Sequence, residues 1–192
     1  MRSLLVAAIC AVSALGVFAQ TPFDSVSGQG AGNVAQGLGP VNPLAGPAPV
    51  RNDTMHLTVQ TSISDTVVTP GKKLSIAFDV TPKRLMHVYA PGKHDYQVIA
   101  VKVDPQPWLK VEPTVYPPSE IYHFKELDEK VETYGKPFTL VQDITVLDTA
   151  AAKKALAAGP IKLSGRLEYQ ACDDKVCYAP TKVPVSFALT VK

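Results

Sequence analysis

The chain has 192 residues, 46% of them hydrophobic, and sets 19 Lys and Arg against 17 Asp and Glu for a net charge of +2. Such a balance gives no electrostatic footprint for nucleic acid or an anionic lipid surface, so neither class of partner is expected. Three cysteines, Cys10, Cys172 and Cys177, make redox compartment the first question.

Residues 1–19 read as a secretory signal. Arg2 supplies the basic n-region, Leu4 to Leu15 the apolar stretch, and Val17-Phe18-Ala19 a cleavage site before Gln20. The apolar run falls short of the ~20 residues a spanning helix needs, so removal is expected, with no membrane span afterwards. Cys10 leaves with the signal. Cys172 and Cys177 then remain in an exported chain, periplasmic or secreted, where one disulfide can persist.

Residues 20–52 are rich in Gly, Pro, Ala, Gln and Asn and carry no charge between Asp24 and Arg51, which predicts a disordered linker. Gly28-Gln29-Gly30-Ala31-Gly32 has the look of a phosphate loop, but no strand precedes it and no helix follows. From residue 53 to 192 the hydrophobic period becomes two. Leu57, Val59, Thr61 and Ile63 alternate with polar neighbours, as do Leu74, Ile76, Phe78 and Val80, then Ile99, Val101 and Val103. Leu163, Leu167, Tyr169 and Ala171 continue the pattern, and Val183, Val185, Phe187, Leu189 and Val191 close it. Pro70-Gly71, Pro91-Gly92, Pro117-Pro118 and Gly159-Pro160 supply turns between these runs. Asp148-Thr149, followed by residues 150–158, predicts one short capped helix. The expected fold class is all-β, an immunoglobulin-like β-sandwich with at most one short helix.

The strand through Leu163 is expected to run to Cys172, with Cys172 on the face opposite Tyr169 and Ala171. Asp173 to Val176 then form a connection of hairpin length, and Cys177 starts the approach to the next strand. A bond between the cysteines closes a ring of only six residues, and the chain-entropy return for so small a loop is about 2 kcal/mol. A staple placed there stabilises little. A short, accessible loop is what thiol–disulfide exchange requires, since an incoming thiolate must reach one sulfur along the S–S axis while the other leaves. Asp173 and Asp174 disfavour a thiolate at Cys172, an effect that Lys175 partly offsets. Cys177 is therefore expected to form the mixed disulfide, with Cys172 as resolving partner.

Tyr169-Gln170-Ala171-Cys172, an acidic spacer, Cys177-Tyr178-Ala179-Pro180 and the closing strand Val183 to Val191 together resemble the N-terminal periplasmic domain of the thiol:disulfide interchange protein DsbD. Weaker similarity runs through His87-Val88-Tyr89, Ser119-Glu120-Ile121-Tyr122 and Tyr134-Gly135-Lys136. The resemblance implies an immunoglobulin-like fold and a redox pair, Cys172 and Cys177, that relays reducing equivalents. It implies as partners thioredoxin-like periplasmic proteins and a separate membrane reductant donor. It also places His87, Tyr89 and Tyr178 beside the disulfide, and Glu132, Thr133 and Tyr134 in a loop that caps it. In the family an aromatic side chain shields the sulfurs from stray thiols where Thr133 stands here, and Tyr134 or Phe124 could take that part.

Two other readings compete. One is an immunoglobulin-like interaction domain whose hairpin disulfide is purely structural. The other is a periplasmic copper-binding domain, with His56, His87, His94, His123, Met55 and Met86 as soft ligands beside the thiols. No two histidines share a ligand spacing, so no metal site is assigned. No nucleotide, paired-carboxylate or Ser-His-Asp motif stands out, and no cofactor is expected.

Overall fold

The computed structural model describes residues 47–125 and 128–192. The expected signal, and the expected linker as far as residue 46, lie outside the described residues. In chain order the elements are β1 (Val50–Asp53), β2 (Leu57–Ile63), β3 (Val67–Val68), β4 (Lys73–Pro82), β5 (His87–Tyr89), β6 (Ala100–Val103), β7 (Leu109–Val111), β8 (Glu120–Phe124), β9 (Glu129–Tyr134), β10 (Phe138–Val146), α1 (Ala150–Leu156), β11 (Ile161–Tyr169), β12 (Ala171–Cys172) and β13 (Thr181–Val191). β1 begins inside the stretch read as linker. Val50, Arg51 and Asn52 pair with Thr61, Gln60 and Val59 of β2, so the ordered domain starts a few residues earlier than composition suggests.

The strands form three sheets, ordered β1-β2-β4-β10-β7, β3-β13-β11-β6 and β12-β5-β9-β8. Alternation builds the core. Leu74, Ile76, Phe78 and Val80 of β4 are buried while Lys73, Ser75 and Asp79 are exposed, and β10 and β13 repeat the pattern. Register then places like against like: Phe78 faces Leu140, Leu163 faces Phe187 and Leu167 faces Val183. A slip of one residue would turn every one of these side chains outward. The inward side chains of the first two sheets share one core with α1, through Ala152 and Leu156. Fully burying each large apolar side chain there contributes about 1.5–3 kcal/mol. The result is the expected immunoglobulin-like β-sandwich with one short helix among the described residues. Thr149 caps that helix by accepting a hydrogen bond from the Ala152 N–H at 3.1 Å.

The strand expected to run unbroken to Cys172 is interrupted. β11 stays in the second sheet between β13 and β6, whereas β12 pairs with β5 in the third. Gln170 is the hinge between them. Its side-chain amide donates to the Tyr178 carbonyl at 3.2 Å, and its Oε1 accepts from the Gln97 N–H at 3.4 Å. The switch matters because the third sheet has two unlike faces. Val88, Tyr134 and Ala171 enter the main core, while Tyr89, Val131 and Cys172 form a second, smaller apolar cluster on the other side. Among the described residues no helix is long and apolar enough to cross a membrane.

Candidate functional site

Cys172 and Cys177 are joined in a disulfide, with their Cα atoms 4.1 Å apart. The hairpin between them brings the two residues opposite each other in an isolated antiparallel bridge, so Cys177 precedes β13 without belonging to it. The sulfurs are not equivalent. Cys172 is 0% exposed, whereas Cys177 is open to solvent. Solvent therefore reaches the pair by way of Cys177.

Tyr89 lies below both. It shares a face of the third sheet with His87, and its hydroxyl is 2.9 Å from the Cys172 Sγ and 3.3 Å from the Cys177 Sγ. Neither bonded sulfur carries a proton, so the phenol is the donor. Burial, followed by the neighbouring Tyr96 and Glu129, holds the Tyr89 phenol well above its ordinary range, so it remains a donor at any working pH. Tyr96 stacks on Tyr89 with ring centroids 4.3 Å apart and planes 5° from parallel, and its hydroxyl donates to Glu129 at 2.8 Å. Together with Phe124, Tyr96 walls a groove of about 460 Å³ whose other lining residues are Asp173, Asp174, Lys175, Val176 and Cys177.

His87 pairs across the sheet with Cys172. It is 3% exposed, stacked on Tyr122 at 4.5 Å, and edge-on to Phe124 at 5.4 Å. Burial lowers its pKa, an effect opposed by Asp174 and Asp173, and its Nε2 has no hydrogen-bond partner. Tyr178 sits next to Cys177 and donates to Asp173 at 3.0 Å, while its ring packs on His56 at 4.5 Å.

The three residues expected in a capping loop are placed otherwise. Glu132, Thr133 and Tyr134 are part of β9, held between β5 and β8. Tyr134 points into the main core, where it stacks on Phe138 at 4.2 Å and donates to the Pro117 carbonyl at 2.8 Å. Glu132 turns toward Gly92, so closely that a Cβ added there would collide with its carboxylate. Thr133 is 2% exposed and borders a second groove, of about 260 Å³, with Leu85, His87, Tyr122 and Asp174. That groove does not include Cys177. The aromatic cover beside the exposed sulfur comes instead from Tyr96 and Phe124. Thr133→Phe is therefore expected to fill the second groove and leave the rate of disulfide reduction by dithiothreitol within twofold of wild type (roughly 0.4 kcal/mol). A pronounced slowing in stopped flow would return Thr133 to the cover.

Phe124, which the sequence offers as an alternative cover, lies with Tyr122 on what proves to be an edge strand. Tyr96 lies in a loop, where no periodicity marks it. For the copper reading, no three of His, Cys, Asp and Glu gather into a metal-holding group among the described residues.

The sandwich is similar to the crystal structure of the N-terminal periplasmic domain of ScsB from Proteus mirabilis, at 15% identity and a TM-score of 0.50, over 71% of this chain and 48% of that one. The chain thus spans about half the length of that structure. The GAE domain of GGA2p from Saccharomyces cerevisiae aligns at 12% identity and a TM-score of 0.37, over 75% of this chain and 98% of that one. No curated protein matches the sequence. The family model described as thiol:disulfide interchange protein DsbD, N-terminal, covers residues 55–188, which takes in both cysteines and the tyrosine beneath them, and the chain belongs to that family.

Proposed function

We propose that this protein is an exported thiol–disulfide exchange module, periplasmic or secreted, that relays reducing equivalents through Cys172 and Cys177 to or from thioredoxin-like proteins, with a membrane-embedded protein as reductant donor. The observation that carries the reading is the asymmetry of the pair: one cysteine exposed beside an aromatic groove, the other buried against a phenol hydroxyl. Exchange uses that asymmetry. A partner thiolate attacks the Cys177 Sγ, the S–S bond breaks, and the charge leaves on the Cys172 Sγ, where the Tyr89 hydroxyl is positioned to donate. The partner's second thiolate then attacks its own sulfur in the mixed disulfide and releases Cys177. The domain gains two electrons and the partner becomes a disulfide. A purely structural bond has no need of one accessible sulfur.

Equilibrating the purified chain with glutathione or thioredoxin buffers tests the reading. A relay disulfide is expected to titrate above about −300 mV, whereas structural disulfides lie below that value. A bond that stays oxidised far below it would leave the interaction-domain reading standing.

A further inference from the structure

Once the disulfide opens, something other than the S–S bond must keep the two thiols together. The hairpin contains such a device. Asp173 Oδ1 accepts from the Lys175 N–H at 2.8 Å and from the Val176 N–H at 2.7 Å, and the Asp173 N–H donates to the Val176 carbonyl at 3.0 Å. Its other carboxylate oxygen, Oδ2, accepts from the Tyr178 hydroxyl at 3.0 Å. The Tyr178 N–H closes the next rung onto the Ala171 carbonyl at 2.9 Å. No sulfur takes part in any of these bonds, so reduction leaves all of them available. A short carboxylate or amide side chain that accepts from the N–H groups two and three residues ahead holds a turn by itself. The same two N–H groups, foremost among several influences, keep the Asp173 carboxyl below its ordinary range, so its acceptors stay charged near neutral pH.

We infer that Asp173 is a positioning residue: by bracing the turn from Asp173 to Tyr178, it keeps Cys172 facing Cys177 in the dithiol and in the mixed disulfide, and so sets the effective concentration of one sulfur at the other. The inference rests on the exchange reading above. In the oxidising half of the cycle the Cys172 thiolate attacks the Cys177 Sγ of the mixed disulfide. The Cys172–Cys177 bond forms, the bond from Cys177 to the partner breaks, and the partner's sulfur leaves as a thiolate that takes a proton from water. The dithiol has then given two electrons to what was the partner's disulfide. Asp173 also opposes this step as a charge, because it disfavours the Cys172 thiolate. Geometry and charge thus predict opposite effects for its removal, and the two can be separated.

The test measures the equilibrium constant for ring closure in the full chain by titration against dithiothreitol, with the oxidised fraction read from the mass shift on alkylation. Asp173→Ala removes both brace and charge. It is expected to lower the constant about tenfold, which is about 30 mV less negative for this two-electron couple. Asp173→Asn removes the charge but keeps an oxygen for the two N–H groups, and is expected to stay within about twofold of wild type, or about 9 mV. Tyr178→Phe, which loosens only Oδ2, is expected to shift the constant in the same direction as Asp173→Ala and by less. An unchanged or raised constant in Asp173→Ala would overturn the inference, and so would an equal fall in Asp173→Asn, which keeps an acceptor for both N–H groups. Failure of the exchange reading looks different. The wild-type bond would then lie far below the glutathione range, while the difference between variants could still be read against dithiothreitol.

Discussion

Cys172→Ser is expected to accumulate a covalent adduct with an oxidised thioredoxin-like protein, and Cys177→Ser to accumulate far less. In the first variant the remaining thiol is the exposed one, at the mouth of the aromatic groove, and no second thiol in the domain can attack it. In the second the remaining thiol is fully buried between β5 and the hairpin, where burial also disfavours its thiolate. A barrier difference of about 1.4 kcal/mol already separates two such rates tenfold, and the loss of in-line access to a buried sulfur is expected to exceed that. Acid quenching, alkylation and a non-reducing gel measure the two adducts side by side. A partner with one active-site cysteine, supplied as its mixed disulfide with thionitrobenzoate, cannot release the product with a second thiol, and thionitrobenzoate leaves as the adduct forms. Equal yields would remove the assignment of roles between the sulfurs.

Tyr89→Phe carries the second large effect. The charge that develops when the S–S bond breaks arrives on a sulfur with no exposure to water, and the Tyr89 hydroxyl, 2.9 Å away, replaces the solvent that is missing. Hydrogen bonds to charged groups contribute about 1.5–3 kcal/mol. The bond strengthens as the charge arrives, and losing that gain is expected to slow reduction by dithiothreitol about ten- to hundredfold. The ring remains, so the stacking on Tyr96 and the fold are retained. The reduction potential is expected to move less than the rate, because the product at Cys172 is a protonated thiol that needs the donor less than the thiolate does. Tyr96→Phe is the matched control: it removes a hydroxyl bonded to Glu129 and leaves the one at the sulfurs. Rates for Tyr89→Phe within twofold of wild type would show that the hydroxyl does not assist the leaving sulfur.

Both expectations depend on where the cysteines sit in three dimensions, and only part of that position is legible along the chain. The sandwich is written in period-two alternation. β4, β10 and β13 are long enough for inward and outward residues to declare themselves, because a strand's side chains must alternate between faces. The pairing of Cys172 with Cys177 is also local, since four intervening residues suffice for a hairpin and only these two cysteines lie among the described residues. Asp173 stands in the sequence at a place where a short acceptor can brace that hairpin, although charge alone drew attention to it.

What the chain could not declare is the change of sheet at Gln170. Alternation continues through Tyr169, Ala171 and Cys172 as though one strand carried them. Whether Cys172 faces solvent or a second apolar cluster depends on β5 and β9, which are more than eighty and nearly forty residues away. The same holds for the cover. Thr133 fits a capping position by its place in a motif, yet β5 and β8 clamp it from both sides, and the groove beside Cys177 is walled by Tyr96 from a loop and Phe124 from a sheet edge. Local sequence determines which face of a strand is apolar and how a short turn closes. Which apolar face meets which partner is decided by long-range packing, and here that packing buries one sulfur and leaves the other open.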